Sequence, residues 1–140
     1  MNIDWARYDP ETGRIRGVGN CDHTDYDGNR GMFPGDAFAI GKADLDADYV
    51  DIGADPPAIT RRPDMPTFDR VLIAAGGDDA AVLAVDRPFT ATIDGTAQAV
   101  DTADPDGLYR LEFAASIAAE YRVEIDAWPY LPASYTVTAE

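Results

Sequence analysis

The chain has few basic residues, almost no cysteine and no long apolar run. Its 140 residues include 11 Lys and Arg against 26 Asp and Glu, which gives a formal net charge of −15 and a pI near 4.1. Such a surface repels phosphate backbones and anionic lipids, so we expect neither nucleic acid nor a membrane as a partner. It is typical of a protein kept soluble in salt. Basic partners and loosely bound divalent cations stay open.

Cys21 is the only cysteine, which excludes an intrachain disulfide and suits synthesis in a reducing cytoplasm. No apolar stretch approaches the ~18 residues that span a bilayer. The first residues, Met1 to Asp4, are not the start of a basic segment followed by an apolar run, so we expect no secretory signal. Work outside a cell would then require release by a route other than classical export.

The few chemically distinctive residues predict no catalytic, cofactor or metal site. A structural zinc site needs four N or S ligands, whereas Cys21 and His23 are the only cysteine and histidine. The same pair lacks an orienting third group and an oxyanion hole for nucleophilic catalysis. Gly76-Gly77 precedes Asp78-Asp79, which would repel a phosphate. We therefore predict that the protein is not an enzyme and holds no cofactor.

The Asp-rich loops do not have the spacing of an EF-hand. A loop starting at His23 lacks the first carboxylate, and one starting at Asp44 has Tyr49 where glycine is required. A weak cation site of another kind at Asp44, Asp46 and Asp48 stays open. Paired carboxylates for glycoside hydrolysis would need a concave cleft, which is hard to build in so small a domain.

The last third of the chain alternates apolar and polar residues. Tyr109, Leu111 and Phe113 fall on one face, and the pattern resumes over 121–127 and 135–138. Because side chains alternate across a strand, this pattern predicts strands with one dry and one wet face. The Ala-rich segment between these stretches, 114–120, has a rival interpretation as two helical turns.

Turn residues divide the rest of the chain into short strands. Met1–Tyr8 and Arg14–Gly19 are predicted to form a hairpin, followed by a loop over Asn20–Gly35. Asp55–Pro66 contains four prolines and is predicted to be an extended linker. It divides the chain into a docking region with a hairpin and extended segment, 1–62, and a second domain, 63–140.

The second domain has three further turn signals. Val71–Ala75 and Ala81–Val85 are predicted to pair as a hairpin. Asp94-Gly95 is the strongest hairpin signal, since both residues accept the positive φ of a type I′ turn. Asp104–Gly107 predicts another turn. Turns about every ten residues indicate an all-β chain that ends in an antiparallel, immunoglobulin-like (Ig-like) β-sandwich.

The segment Trp128–Pro132 has two interpretations. It is an exposed aromatic platform for contact with a sugar or protein, or a kink between two edge strands in which Trp128 and Leu131 close the end of the core. The second interpretation is favoured, because each proline interrupts a strand ladder.

Several motifs together resemble small proteins encoded in the tail regions of tailed bacteriophages and prophages. The resemblance covers the chain from about Tyr8 to its end. Members commonly have Pro-Gly-Thr-Tyr where this chain has Ala118-Ala-Glu-Tyr121. The matching segments are Tyr8-Asp-Pro-Glu-Thr-Gly13, Tyr49-Val-Asp51, Arg62-Pro63, Ile93-Asp-Gly95, Glu124-Ile-Asp-Ala-Trp-Pro-Tyr-Leu131 and Tyr135-Thr-Val-Thr138.

The resemblance implies a non-enzymatic virion component of the distal tail or tail fibre, made in the host cytoplasm and displayed on the tail. Its expected partners are other tail or baseplate proteins, with a homo-oligomer and a host surface glycan or protein as further options. A capsid decoration protein and a carbohydrate-binding module that uses Trp128 and Tyr130 are the alternatives. The resemblance assigns no functional residues.

Overall fold

Short alternating segments separated by turn residues make the protein almost entirely β. The computed structural model describes residues 1–140. Strand accounts for 46% of the residues and helix for 6%, and most strands pair antiparallel. The all-β fold is as the alternation predicts. The chain forms two compact units, Met1–Arg62 and Pro63–Glu140.

The first unit contains five strands and a short helix. The strands are β1 (Asn2–Tyr8), β2 (Ile15–Asp22), β3 (Ala37–Ile40), β4 (Asp48–Asp51) and β5 (Ala58–Arg61). They form an antiparallel sheet in the order β2-β1-β3 and a separate antiparallel pair, β4-β5. Buried side chains of β1, β2 and β4 form the core of this unit, namely Ala6, Tyr8, Ile15 and Val50.

The predicted first hairpin is confirmed by the pairing of β1 with β2. The predicted loop over Asn20–Gly35 is wrong in part, because β2 continues to Asp22 and the helix α1 covers Tyr26–Gly31. The carboxylate of Asp22 accepts the backbone N–H of Thr24 at 3.0 Å and begins a 3₁₀ turn that leads into α1. The Pro-rich segment Asp55–Pro66 is not simply an extended linker, because it contains β5, which pairs with β4.

The second unit consists of seven strands in two sheets. The strands are β6 (Leu72–Ile73), β7 (Ala81–Val85), β8 (Phe89–Ile93), β9 (Thr96–Val100), β10 (Tyr109–Phe113), β11 (Ala119–Asp126) and β12 (Ala133–Ala139). One sheet has five strands in the order β6-β12-β11-β8-β9, and the other is the pair β10-β7. Side chains from both sheets share one core, in which Leu83, Val123 and Val137 are fully buried.

The hairpin predicted for Val71–Ala75 and Ala81–Val85 is wrong. β6 pairs in parallel with β12, whereas β7 pairs with β10 in the other sheet. The backbone N–H groups of Gly76 and Gly77 both donate to the carbonyl of Ala115, at 3.0 and 3.1 Å. The connection therefore crosses from one sheet to the other and does not turn back on itself.

The other predicted turns are confirmed. Asp94 has φ +47° and Gly95 φ +88°, the left-handed pair of a type I′ turn, and β8 pairs with β9 on either side of it. The N–H of Gly107 donates to the carbonyl of Asp104 at 2.9 Å, which closes the turn before β10. The helical interpretation of residues 114–120 is wrong, because β11 already begins at Ala119.

Candidate functional site

A groove of about 830 Å³ lies beside β3 in the first unit. The buried ring of Tyr8 lines it, and Phe38 and Ile40 of β3 form one wall. Pro57, which precedes β5, and Ile59 within β5 form a second wall. The groove is thus bordered by two strands, β3 and β5, that are both edges of their sheets.

The edge of β3 presents unpaired backbone groups to this groove. The N–H of Gly41 donates to the carbonyl of Asp4 in β1 at 2.8 Å, so the backbone groups of Gly41 face β1. Hydrogen-bonded pairs alternate along an antiparallel ladder, so the backbone groups of Ala39 also face β1 while those of Phe38 and Ile40 point outward. An outward row of N–H and C=O groups is a template for an added strand.

Two cationic side chains, Arg30 and Lys42, line the groove, although the protein as a whole is acidic. Arg30 at the end of α1 lies 3.4 Å from Asp27, in an ion pair whose members are both solvent-exposed. Lys42, the only lysine, follows β3 and forms no salt bridge. The groove therefore combines an apolar lining, unpaired backbone groups and positively charged side chains.

Aromatic packing on the sheet holds the wall of the groove. The ring of Phe38 lies 5.2 Å from Trp5, 6.2 Å from Tyr26 and 6.4 Å from Phe33, measured between centroids. Partial burial raises the pKa of the Tyr26 phenol. The Trp5 ring in turn lies against β2 at Gly19, where an added Cβ would clash with it.

A nearly buried carboxylate fixes the loop that leads into β3. Asp36, whose side chain is 7% exposed, accepts hydrogen bonds from Arg7 at 2.8 Å and Arg16 at 2.5 Å. The Arg7 guanidinium also stacks 4.2 Å from the centroid of Phe33. Hydrogen bonds from Arg7 and Arg16 hold the pKa of Asp36 below its usual value.

Asp36→Asn is expected to lower the free energy of unfolding by about 1–3 kcal/mol at neutral pH, because two guanidinium groups lose their charged acceptor. Since the pKa of Asp36 is lower in the folded state, its contribution is complete above the usual carboxyl pKa of about 4. It is lost as the pH falls through the lower folded value. Urea unfolding from neutral pH to about pH 2 should thus show the two proteins converging in acid; a constant difference would contradict this role.

The candidate metal and nucleophile residues of the sequence lie in β2, in the 3₁₀ turn after it, and in the loop before β4 together with the first residue of that strand. Cys21 is half-buried in β2, and His23 is exposed with Nδ1 3.2 Å from Asp22 Oδ1. The Asp44 carboxylate accepts the backbone N–H groups of Asp46 and Ala47, and these bonds lower its pKa. No group of three or more His, Cys, Asp or Glu side chains is placed to hold a metal ion.

The segment Trp128–Pro132 only partly closes the core. Ala127 and Pro129 are buried there, whereas Trp128 and Leu131 are half-buried, so the expectation that those two fill the end of the core is corrected. The prediction that the segment joins two edge strands is wrong, because β11 and β12 both lie inside the five-stranded sheet. Tyr130 donates its hydroxyl to Asp86 at 2.9 Å.

A second, smaller groove of about 510 Å³ lies on the outer face of the five-stranded sheet. Glu124 and Asp126 line it with hydroxyl side chains of β8 and β12. Glu124 forms a salt bridge with Arg122 at 3.1 Å, and both carboxylates are exposed to water.

No pattern in the sequence indicates the groove beside β3. The available signals are Lys42, isolated among acidic residues, and the pair Pro56-Pro57, which lack backbone donors. Neither signal locates a groove, because β3 and β5 are distant in sequence and do not pair with each other.

Comparison of the chain with protein-family models, with characterised proteins and with solved structures gives no match. None of the helices has the length and hydrophobicity required to cross a bilayer.

Proposed function

We propose that the protein is a non-enzymatic structural component of a phage tail, part of the distal tail or a tail fibre. Its first unit docks on another tail protein through the groove beside β3. Its second unit is an Ig-like domain displayed on the particle, where it contacts solvent or the host. The observation that supports docking most strongly is the unpaired backbone of Phe38 and Ile40 beside an apolar groove.

The strand order of the second unit supports the Ig-like assignment. The order β12-β11-β8-β9 is that of strands G, F, C and C′ in a variable-type Ig sheet, and β7-β10 is that of strands B and E. Leu83 in β7 and Val123 in β11 occupy the central core positions of strands B and F. A core of apolar side chains there requires no disulfide.

A hydrogen bond at the start of β11 gives independent support. The hydroxyl of Tyr121 donates to the carbonyl of Ile117 at 2.8 Å, two residues before the buried Val123. Ig-like domains use a tyrosine in this position, near the start of strand F, to bond back to the preceding turn. The bond also holds the turn where Ala118-Ala-Glu-Tyr121 replaces the Pro-Gly-Thr-Tyr of the resembling proteins.

The chemistry of the groove indicates what docks there. An extended segment of a neighbouring tail protein adds as a strand to β3, so that backbone hydrogen bonds provide affinity and the apolar walls select its side chains. Arg30 and Lys42 favour a carboxylate on that segment. Because this charge pairing is exposed, it affects the association rate and salt dependence more than the final affinity.

Ile40→Pro is expected to reduce incorporation of the chain into particles about tenfold or more, because it removes an outward N–H and fills the docking edge with a ring. The bonds from β3 to β1 stay intact, since Ile40 does not donate to β1. Quantitative mass spectrometry of particles assembled with each variant measures the effect.

Val18→Pro is the matched control. Val18 lies on β2, the opposite edge of the same sheet, is 44% exposed and likewise directs its N–H outward. We expect this variant to enter particles at the wild-type level. Equal incorporation of both folded variants would contradict docking at β3.

A further inference from the structure

β9 is an exposed sheet edge without the features that normally prevent edges from pairing. It lies at one end of the five-stranded sheet and pairs only with β8. The first four of its five residues are exposed. Natural edges are commonly protected by lysine, proline or a bulge, whereas β9 contains no charge and no proline, and its register with β8 is unbroken.

The hairpin turn determines which backbone groups are available on this edge. The pair next to the two-residue turn, Ile93 with Thr96, is hydrogen-bonded, and bonded pairs alternate along the ladder. Gln98 therefore bonds to β8, whereas the N–H and C=O groups of Ala97 and Ala99 point away from the sheet. No backbone hydrogen bond joins these two residues to any other part of the chain.

We propose that two copies of the chain associate through β9, antiparallel about a twofold axis at Gln98. In this register Ala97 pairs with the partner's Ala99, and the symmetric pair completes four backbone hydrogen bonds. Thr96 lies opposite the partner's Val100, so β-branched side chains meet each other. The two Gln98 side chains face each other across the axis.

Charge and symmetry favour a second copy over another partner. β9 contains no carboxylate that could bind a basic partner. It also contains no charge that would repel a second copy, although the net charge of the chain is −15. The strand is also nearly symmetric in side-chain size about Gln98, so each of its residues meets one of similar size on the second copy. Asp94 and Asp101 flank the strand, so repulsion between copies weakens the dimer at low salt.

An interface of one short strand is small, so the dimer is weak and forms in the micromolar range or above. Sedimentation equilibrium of the full chain at up to about 1 mM tests it. We expect the dimer fraction to rise with protein concentration and to rise again between about 0.1 M and about 1 M NaCl. The proposal does not depend on a tail function.

Two substitutions locate the interface. Ala97→Pro removes an outward N–H and leaves the bonds to β8 intact, and Gln98→Asp places two like charges at the axis. Each is expected to raise the dissociation constant at least about tenfold. Thr136→Asp, an exposed position on β12 of the same sheet, adds the same charge away from the edge and leaves the dimer unchanged.

A wild-type chain that stays monomeric at the highest concentration in high salt overturns the proposal. A dimer that persists in both β9 variants overturns it equally, because the interface then lies elsewhere. Amide exchange in the unmodified chain is independent of whether the variants fold: the N–H groups of Ala97 and Ala99 become protected as the concentration rises. Unchanged exchange of these two amides in a sample that dimerises also contradicts it.

Discussion

Gly19→Ala is expected to lower the free energy of unfolding by about 3 kcal/mol, because an added Cβ in a packed site forces side chains or backbone to move. This Cβ would lie 2.3 Å from Cζ2 and 2.7 Å from Cε2 of Trp5. The ring cannot move away freely, since Trp5 is 8% exposed and packs against Phe38. Urea unfolding followed by circular dichroism measures the loss.

Gly28→Ala separates this clash from the general effect of replacing glycine. Gly28 lies in α1, where an added Cβ meets nothing within 4 Å. Alanine favours helix there, so we expect no loss and a gain of up to about 1 kcal/mol. If both variants were as stable as the wild type, the close packing of Trp5 on β2 would be wrong. The wall of the groove beside β3 would then lack its support.

Leu83→Ala is expected to destabilise the protein by about 2–5 kcal/mol through lost apolar burial and the cavity that remains. Leu83 is fully buried between the two sheets of the second unit. A domain of this size has a small stability margin, so a loss in the upper part of the range leaves much of the protein unfolded at 37 °C. The midpoint of urea unfolding and the temperature of the thermal transition report the change.

Leu72→Ala is the control for this core substitution. It removes the same atoms from a side chain that is 54% exposed, at the edge of the five-stranded sheet. We expect a change within about 1 kcal/mol. Similar losses in the two variants would contradict a shared core centred on β7 and β11.

Local chemistry in the sequence is sufficient to predict much of the β structure. Asp94-Gly95 specifies its hairpin because both residues tolerate positive φ, and the two strands it joins are neighbours in sequence. Alternation along β11 predicts which side chains are buried, and Val123 and Ile125 are buried as expected. Such signals depend only on a residue and its near neighbours.

The pairing of strands that are distant in sequence cannot be predicted from such local signals. The apolar runs of β6 and β7 are close in sequence and look like a hairpin, yet each pairs with a strand far along the chain. The pairing of β7 with β10 places Leu83 in the core shared by both sheets, and such burial is a tertiary effect. The groove beside β3 and the free edge at β9 follow from the order of strands in their sheets, so neither leaves a local signal.

The proposed tail role is tested most directly by purifying phage particles from cells that carry the gene for this chain and by locating the chain on them. Mass spectrometry establishes whether it is present, and a labelled antibody viewed by electron microscopy shows where it lies. We expect the chain in intact particles, with label at the tail. Particles that lack the chain, or label confined to the capsid, would contradict a structural role in the tail.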